Sequence, residues 1–258
     1  MLRRILILFV VTALYLWFFG VQTAIVLEEH YFAWKSPSMW AVPVELADTS
    51  ASESPGRKLS YFGCEFEVPW NDLDEQKTRF TGKSQSIVFR SGKQIALAGS
   101  PANERVTFYL DKKPDLATLG KLFNVYADET WRSDYAFTRA VLETTPGSTS
   151  IFSSRKEAVR SMMLLLFKPA MSRDAESGIY FIRTKNFEGF QYGNPQARPS
   201  EIVDELFSDN ARLEFTFPGR RNGSTDCPSQ AEINRVIQSI HKTPLQKASI
   251  VASQNDQK

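Results

Sequence analysis

Three carboxylates follow Trp70 and form the densest group of potential acids, bases or cation ligands in the chain. Asp72, Asp74 and Glu75 could bind a hard cation or supply paired carboxylates for hydrolysis. Their spacing is not that of an EF-hand loop. The alternative interpretation is an acidic first turn of a short helix, where negative charge is favourable.

A second candidate for chemistry is the S-x-x-K pattern formed by Ser153 and Lys156, followed downstream by the polar triplet 192–194. Penicillin-binding enzymes activate a serine nucleophile with such a lysine and add a K-T-G strand. Here the Lys-Thr pair at 242–243 is followed by proline and lies beyond the last predicted helix. The pattern therefore favours a structural role, in which Ser154 caps a helix and Lys156 is solvated in its first turn.

The two cysteines, Cys64 and Cys227, allow two interpretations. Outside the cytoplasm a pair of thiols tends to oxidise, and a bridge would join the first predicted strand to the start of the last helix. In the chain-entropy model it would stabilise the fold by roughly 5 kcal/mol. The alternative is two unpaired, mostly buried thiols. A reactive Cys227 at a helix N-terminus would need a partner base, and none is adjacent in sequence.

The composition limits the remaining chemistry. Lys and Arg number 31 against 29 Asp and Glu, so the chain lacks the excess of positive charge typical of a nucleic-acid platform. With only His30 and His241, a zinc site would need carboxylates for most ligands, and histidine acid–base catalysis has few candidates. We therefore expect no catalytic residues, no bound cofactor or metal, and no nucleic-acid partner.

The N-terminal segment predicts a membrane anchor. Residues 5–27 carry no charge and, as a helix, would reach about 34 Å, enough to cross a hydrocarbon core of about 30 Å. A cleaved signal peptide is the alternative, but its apolar region is usually shorter and ends at small residues. Arg3 and Arg4 precede the span and Glu28 and Glu29 follow it, which predicts a cytoplasmic N-terminus. The aromatic residues at 31, 32 and 34 would then form the outer belt.

The rest of the chain is expected to divide into three parts. Residues 35–58 are rich in Ser, Pro and Ala and predict a stalk, in which 42–46 could add an edge strand. Residues 59–242 form the folded domain that lies outside the cytoplasm. The tail at 243–258 is polar and without periodicity, as is typical of disorder.

Within the domain, helical and extended patterns alternate. We predict strands at 61–68, 106–110, 179–184, 187–192 and 213–217, and a hairpin that joins 86–90 to 94–98 around Ser91-Gly92. Residues 202–207 could form either a strand or a short helix. Apolar spacing predicts helices near 116–126, 131–142 and 158–167, with Pro169 ending the third.

The last predicted helix has the clearest pattern. Ser229 and Glu232 match a capping box, and the following helix has a single apolar stripe of Ile233, Val236, Ile237 and Ile240. Strands grouped at both ends with helices between them predict the α+β class, with an antiparallel sheet and packed helices.

Six short motifs are spread across 59–242: Ser60-Tyr61-Phe62-Gly63, Phe66-Glu67-Val68-Pro69-Trp70, Phe89-Arg90-Ser91-Gly92-Lys93, Glu176-Ser177-Gly178, Gly189-Phe190-Gln191-Tyr192-Gly193 and Gln230-Ala231-Glu232-Ile233-Asn234. Together they resemble an uncharacterised family of membrane-anchored bacterial envelope proteins. The domain also opens with a strand that ends in a proline-plus-aromatic step and closes with a sheet strand followed by an amphipathic helix. This pattern is similar to Mog1/PsbP-like domains, and folds of that kind mostly serve as binding or assembly modules.

These observations predict a single-pass protein of the inner (cytoplasmic) membrane whose domain binds a protein or another envelope component, with no catalysis of its own. The alternative function is a tethered hydrolase that uses the carboxylates at 72–75 or the pair Ser153 and Lys156. A concave site that gathers these groups would favour the hydrolase, and a shallow apolar patch would favour binding.

Overall fold

The computed structural model describes residues 2–47, 49–53, 56–81, 84–172, 178–197, 201–219 and 227–243. The helices in these ranges are α1 (Leu2–Lys35), α2 (Glu104–Asp111), α3 (Pro114–Leu122), α4 (Asp134–Glu143), α5 (Arg155–Met171) and α6 (Gln230–Gln238). The strands are β1 (Val44–Glu45), β2 (Arg57–Tyr61), β3 (Cys64–Val68), β4 (Arg79–Thr81), β5 (Ser84–Val88), β6 (Gln94–Pro101), β7 (Ile179–Arg183), β8 (Glu188–Tyr192), β9 (Glu201–Phe207), β10 (Ala211–Pro218) and β11 (His241–Lys242).

The strands form two sheets. The large sheet has the order β1-β7-β8-β9-β10-β6-β5-β4, and the small one has the order β11-β3-β2. All pairings are antiparallel except that of β1 with β7. The predicted α+β class, an antiparallel sheet with packed helices, is confirmed.

The large sheet is covered on both faces. On one face, α6 and β3 pack against β5, β6, β9 and β10 around a cluster that includes Phe66, Ile237 and Phe215. On the other face, α4 and α5 pack against β8 and β9 through Phe137, Phe167 and other apolar residues. The central strand β9 is therefore buried on both faces from Ile202 to Phe207.

The two helices with the strongest sequence signals begin where they were predicted. Ser154 and Glu157 form a complete capping box at the start of α5, and Ser229 and Glu232 do the same for α6. The apolar stripe of α6 is at most 3% exposed and belongs to the core cluster. The alternating pattern at 213–217 lies in β10, and the segment at 202–207 proves to be its antiparallel partner β9.

Three predictions about single elements were wrong, two in a boundary and one in the type of element. Residues 61–68 are not one strand, because Phe62 and Gly63 adopt positive φ angles of 50° and 74° in the two-residue turn that joins β2 to β3. Residues 106–110 lie in α2 rather than in a strand. Pro169 lies inside α5, which continues to Met171.

The segment expected to be a stalk contacts the domain. Its predicted edge strand is present as β1, which pairs in parallel with β7. Farther along, Asn234 Nδ2 donates to the Ser50 carbonyl at 2.7 Å, and Ser52 N donates to the Ala231 carbonyl at 2.9 Å. Residues 49–52 therefore lie alongside α6. The division at 34, 58 and 242 stays a prediction, and the tail from 244 lies outside the described residues.

Helix α1 is continuous from Leu2 to Lys35 and contains an apolar segment long enough to cross a membrane. Its C-terminal part packs against α5. The α1 residues buried in this contact, at helical spacing, are Gln22, Ile25, Glu29 and Ala33. Ile25 joins Val159 and Met163 in a third apolar cluster.

Candidate functional site

The predicted carboxylate cluster is a surface turn. Asp72 Oδ2 accepts a hydrogen bond of 2.5 Å from the backbone N–H of Ser91. Burial raises the pKa of this carboxyl, but the hydrogen bonds to it together outweigh burial, so the pKa is lowered. Asp74 accepts from the backbone of the following turn, and the exposed Glu75 pairs with Arg57 at 3.9 Å. These contacts stabilise the turn rather than a helix.

Ser153 and Lys156 have different partners. The Ser153 hydroxyl oxygen accepts from the backbone N–H of Ser150 at 3.1 Å, whereas Lys156 Nζ bonds to Asp128 at 2.6 Å. Ser154 caps α5, as the structural interpretation predicted. The triplet 192–194 lies at the end of β8, and Lys242 belongs to β11, which pairs with β3.

The cysteines are not bonded to each other. Cys64 is buried in β3 and Cys227 is half-buried before α6. Both pack against the same apolar cluster, and burial raises the pKa of the Cys64 thiol. Of the two interpretations left open for this pair, the Cys64–Cys227 bridge is not formed in this structure.

A cleft lies at the end of the large sheet, between the start of α2, the start of α4 and the turn from β9 to β10. Its volume is about 400 Å³, within the usual range of ligand sites. Neither the predicted carboxylates nor Ser153 and Lys156 line it. Its charged lining residues, of both signs, are Arg132, Asp134, Glu188, Asp209 and Arg212.

A buried ion network holds the inner wall of this cleft. Arg105 on α2 reaches Glu205 Oε2 on β9 at 2.9 Å and Thr138 on α4 at 2.7 Å. Arg212 donates to the other oxygen of Glu205 at 2.6 Å, and the Tyr192 hydroxyl donates to Oε2 at 3.2 Å. Burial would lower the pKa of Arg105, but the Glu205 carboxylate outweighs it and the pKa is raised.

One carboxylate in the same cleft has a capping role. Asp134 accepts hydrogen bonds from the backbone N–H groups of Arg105 and Val106, at 3.1 and 3.3 Å. These groups are the free donors at the start of α2, whose own N-cap residue, Asn103, makes no side-chain cap. Asp134 thereby fixes α2 to the start of α4.

A second buried polar group lies on the opposite face of β9. Asp204 is fully buried, and neither of its carboxylate oxygens has a hydrogen-bond partner among the described residues. Burial therefore raises the pKa of this carboxyl well above its usual value. Asp204 stands opposite Gln191 in the sheet, and Gln191 exchanges two amide hydrogen bonds of 2.8 Å with Gln230 of α6.

Sequence patterns did not indicate Arg105, Asp204 or Glu205. Arg105 lies in a segment with alternating apolar residues, which suggested a strand. The adjacent acids at 204 and 205 interrupt an apolar run, and this interruption was the available signal: charged residues inside a buried strand need partners or a neutral state. Which helix supplies the partner depends on tertiary packing.

Comparisons with known proteins add no name or activity to this site. No protein-family model, no curated protein and no solved structure matches the chain.

Proposed function

We propose that this chain is a membrane-tethered binding or assembly module with no catalysis of its own. The charged cleft at the end of the large sheet receives a polar segment of a partner protein. The observation that carries the proposal is the combination of an open cleft of mixed charge with an inner wall held by a buried ion network.

The lining of the cleft favours a protein partner over a small molecule. Small-molecule pockets are lined mainly by apolar side chains with a few polar groups. Here the exposed Arg132 and Asp209 lie on either side of the cleft, and the rim of a protein interface is typically polar and charged. Mixed charge selects a partner by electrostatic complementarity.

The rigid wall supports binding because it fixes the geometry before a ligand arrives. Arg105, Glu205 and Arg212 are joined by bonds of 2.6 to 2.9 Å, and Asp134 fixes α2 to α4. A preorganised surface loses less conformational entropy on association. The apolar lining contributed by Phe207 and Ala211 adds a small hydrophobic floor.

The membrane tether is the second part of the proposal. Helix α1 is long and apolar enough to span a bilayer. Arg3 and Arg4 lie before its apolar segment and favour a cytoplasmic N-terminus with the domain outside the cytoplasm. The motif resemblance extends this to an inner-membrane protein of a bacterial envelope. A tether raises the effective concentration of the domain near partners in the same membrane.

The hydrolase alternative has less support. The carboxylates at 72–75 hold a turn, and Ser153 and Lys156 are committed to separate structural contacts. The cleft wall carries Ser133 and Ser208 beside its acids, but both hydroxyls make local structural bonds. The Ser133 hydroxyl caps α4 by accepting from the backbone N–H of Ala136, and the Ser208 hydroxyl donates to the Ala211 carbonyl.

The test uses the full-length protein, solubilised from its own membranes in mild detergent. Arg132 is 70% exposed, so Arg132→Glu should fold normally and lose a partner that the unmodified chain captures. Lys77→Glu is the matched control, because Lys77 is 73% exposed and lies outside the cleft. Equal capture by all three proteins would contradict a role for the cleft, and capture of no specific partner would contradict the binding function.

A further inference from the structure

Helix α1 changes character within its length. Every described side chain from Ile7 to Phe18 is exposed, as expected for a surface that faces lipid. From Phe19 onward the helix is partly covered, and residues at helical spacing are buried against α5, beginning with Gln22 and Ile25. The exposed part of the helix and the part covered by the domain therefore meet at Phe19.

The domain reaches this meeting point through the loop before α5. The Phe152 ring lies edge-on to the Phe19 ring, with 6.1 Å between centroids. Gln22 Nε2 donates to the Ser153 carbonyl at 3.3 Å, and the Arg155 guanidinium donates to the Trp17 carbonyl. These contacts fix the depth of the loop relative to the helix.

The depth places the loop on the inner side of the expected bilayer boundary. About 20 helical residues cross a hydrocarbon core of about 30 Å. Counted from Ile5, the first residue after the basic pair, such a span ends near Ala24. The loop stands beside residues 17–22, so at a rise of about 1.5 Å per residue it lies about 3–10 Å inside this boundary.

The composition of the loop suits that position. Phe152 is 80% exposed and projects an apolar ring, while Ser150, Ser153 and Arg155 supply hydroxyl and guanidinium donors. Aromatic rings with nearby polar groups are enriched where the acyl chains meet the headgroups. A guanidinium inside the apolar layer needs a hydrogen-bond acceptor, and the Trp17 carbonyl is the acceptor for Arg155.

We propose that the loop at 150–155 is a membrane contact, in which Phe152 inserts among the acyl chains of the outer leaflet, just below the headgroups, and the Arg155 guanidinium stays bonded to the Trp17 carbonyl. This inference rests on the proposed membrane tether and goes beyond it. The domain then sits directly on the bilayer instead of standing off on a stalk. The outer aromatic belt consists of Trp17, Phe19 and Phe152, while Tyr31 and Trp34 lie in water.

The experiment places one spin label at a time on the full-length chain in liposomes of phosphatidylethanolamine and phosphatidylglycerol. Cys64 and Cys227 are first replaced by Ala and Ser. The labelled sites are Phe9 in the span, Phe152 in the loop, Trp34 at the end of α1 and Phe80 on the edge strand β4; all four side chains are more than half exposed. Collision with oxygen reports the lipid phase, and collision with a water-soluble nickel complex reports the aqueous phase.

The proposal predicts that Phe9 and Phe152 labels collide mainly with oxygen, and that Trp34 and Phe80 labels collide mainly with the nickel complex. A Phe152 label as accessible to nickel as the Phe80 label overturns the membrane contact while leaving the tether intact. A Trp34 label in the lipid phase also overturns it. A Phe9 label in water overturns the tether itself. If the cysteine replacements prevent folding, an encoded environment-sensitive fluorophore at the same four sites gives the same comparison with both cysteines retained.

Discussion

Asp204 and Glu205 are neighbours on β9 and both side chains are fully buried, yet their environments are opposite. Glu205 faces the α4–α5 side, where Arg105 and Arg212 bind its two oxygens. Asp204 faces the α6 side, where its oxygens have no partner among the described residues. The alternation of a strand sends adjacent residues to different layers, so one acid is bound by two guanidinium groups and burial drives the other toward the neutral form.

The difference separates two ways of keeping a carboxyl inside a core. A buried charge is tolerated when it is paired and hydrogen-bonded, and an unpaired one shifts its pKa instead. The paired acid lies behind the proposed binding cleft and makes its wall rigid. The unpaired acid lies under α6, beside the amide pair of Gln191 and Gln230, and costs stability at neutral pH.

The largest effect is expected when the paired acid, Glu205, loses a partner. Arg105→Leu leaves Glu205 without its principal partner in the core and should lower the free energy of unfolding by roughly 3–5 kcal/mol. The matched control is Arg139→Leu, which breaks an exposed pair with Glu143 and should cost at most about 1 kcal/mol. Chemical denaturation of the detergent-solubilised chain measures both, and similar costs for the two variants would mean that the buried network contributes no more than a surface pair.

The α6 face is expected to respond to loss of packing. Ile237 is 3% exposed and belongs to the core cluster around β10, so Ile237→Ala should destabilise the chain by roughly 2–5 kcal/mol. Leu166→Ala on α5 is the control, because Leu166 is 36% exposed. Thermal melts make the comparison. An unchanged melting temperature with weaker partner capture would make α6 a docking surface instead of a core helix.

Asp204→Asn should stabilise the chain by about 1–3 kcal/mol at pH 8, because it removes a carboxyl whose charged form is costly in the core. The gain is limited because the buried amide also lacks a partner and keeps part of the desolvation cost. The folded-state pKa of Asp204 is raised, so the folded chain holds a proton that the unfolded chain has released. Its contribution to stability is therefore present below the usual Asp pKa, near 3.9, and is lost as pH rises toward the folded-state pKa.

The pH dependence distinguishes this cause from better packing. The advantage of the Asn variant over the unmodified chain should be small near pH 4 and grow with pH, by about 1.4 kcal/mol per unit while only the folded chain is protonated. Denaturation curves at several pH values test this. A constant difference would mean that Asp204 has a partner that keeps it charged.

The smallest effects are expected at the helix caps on the two sides of the sheet. Ser154→Ala and Ser229→Ala each remove a capping-box oxygen and should each cost about 1 kcal/mol. The cost at Ser154 should not exceed that at Ser229 although α5 also contacts α1, because the lost bond is local in both cases.

Ser153→Ala, one residue before the α5 cap, should leave function unchanged. A loss of function at Ser153 with normal folding would revive the serine–lysine hydrolase.

The local parts of the fold were predictable from sequence because they depend on adjacent residues. Capping boxes and the stripe of α6 gave correct helix starts, and alternation gave β10. The turn at Phe62 was missed because an aromatic residue is unusual at positive φ. The apolar positions of 106–110 fit either period, and the contact of Arg105 with Glu205 on β9 belongs to tertiary structure.

The candidate site was less predictable than the fold. Its lining comes from four segments far apart in the sequence, three connections and the start of β8. Its charged residues resemble ordinary surface residues until the sheet and the helices assemble. The contact of α1 with the domain was hidden for a similar reason. Gln22 and Ile25 lie in the segment predicted to span the membrane, and their burial depends on the packed domain.

The most direct test of the proposed function is photo-cross-linking in intact membranes. A photoreactive amino acid replaces Asp209, which is exposed at the mouth of the cleft, and in a separate protein it replaces Phe80 on β4. We predict a discrete adduct with a partner protein from position 209, loss of that adduct when Arg132→Glu is added, and no such adduct from position 80. The absence of an adduct at 209, or the same adduct from both positions, would contradict binding at the cleft.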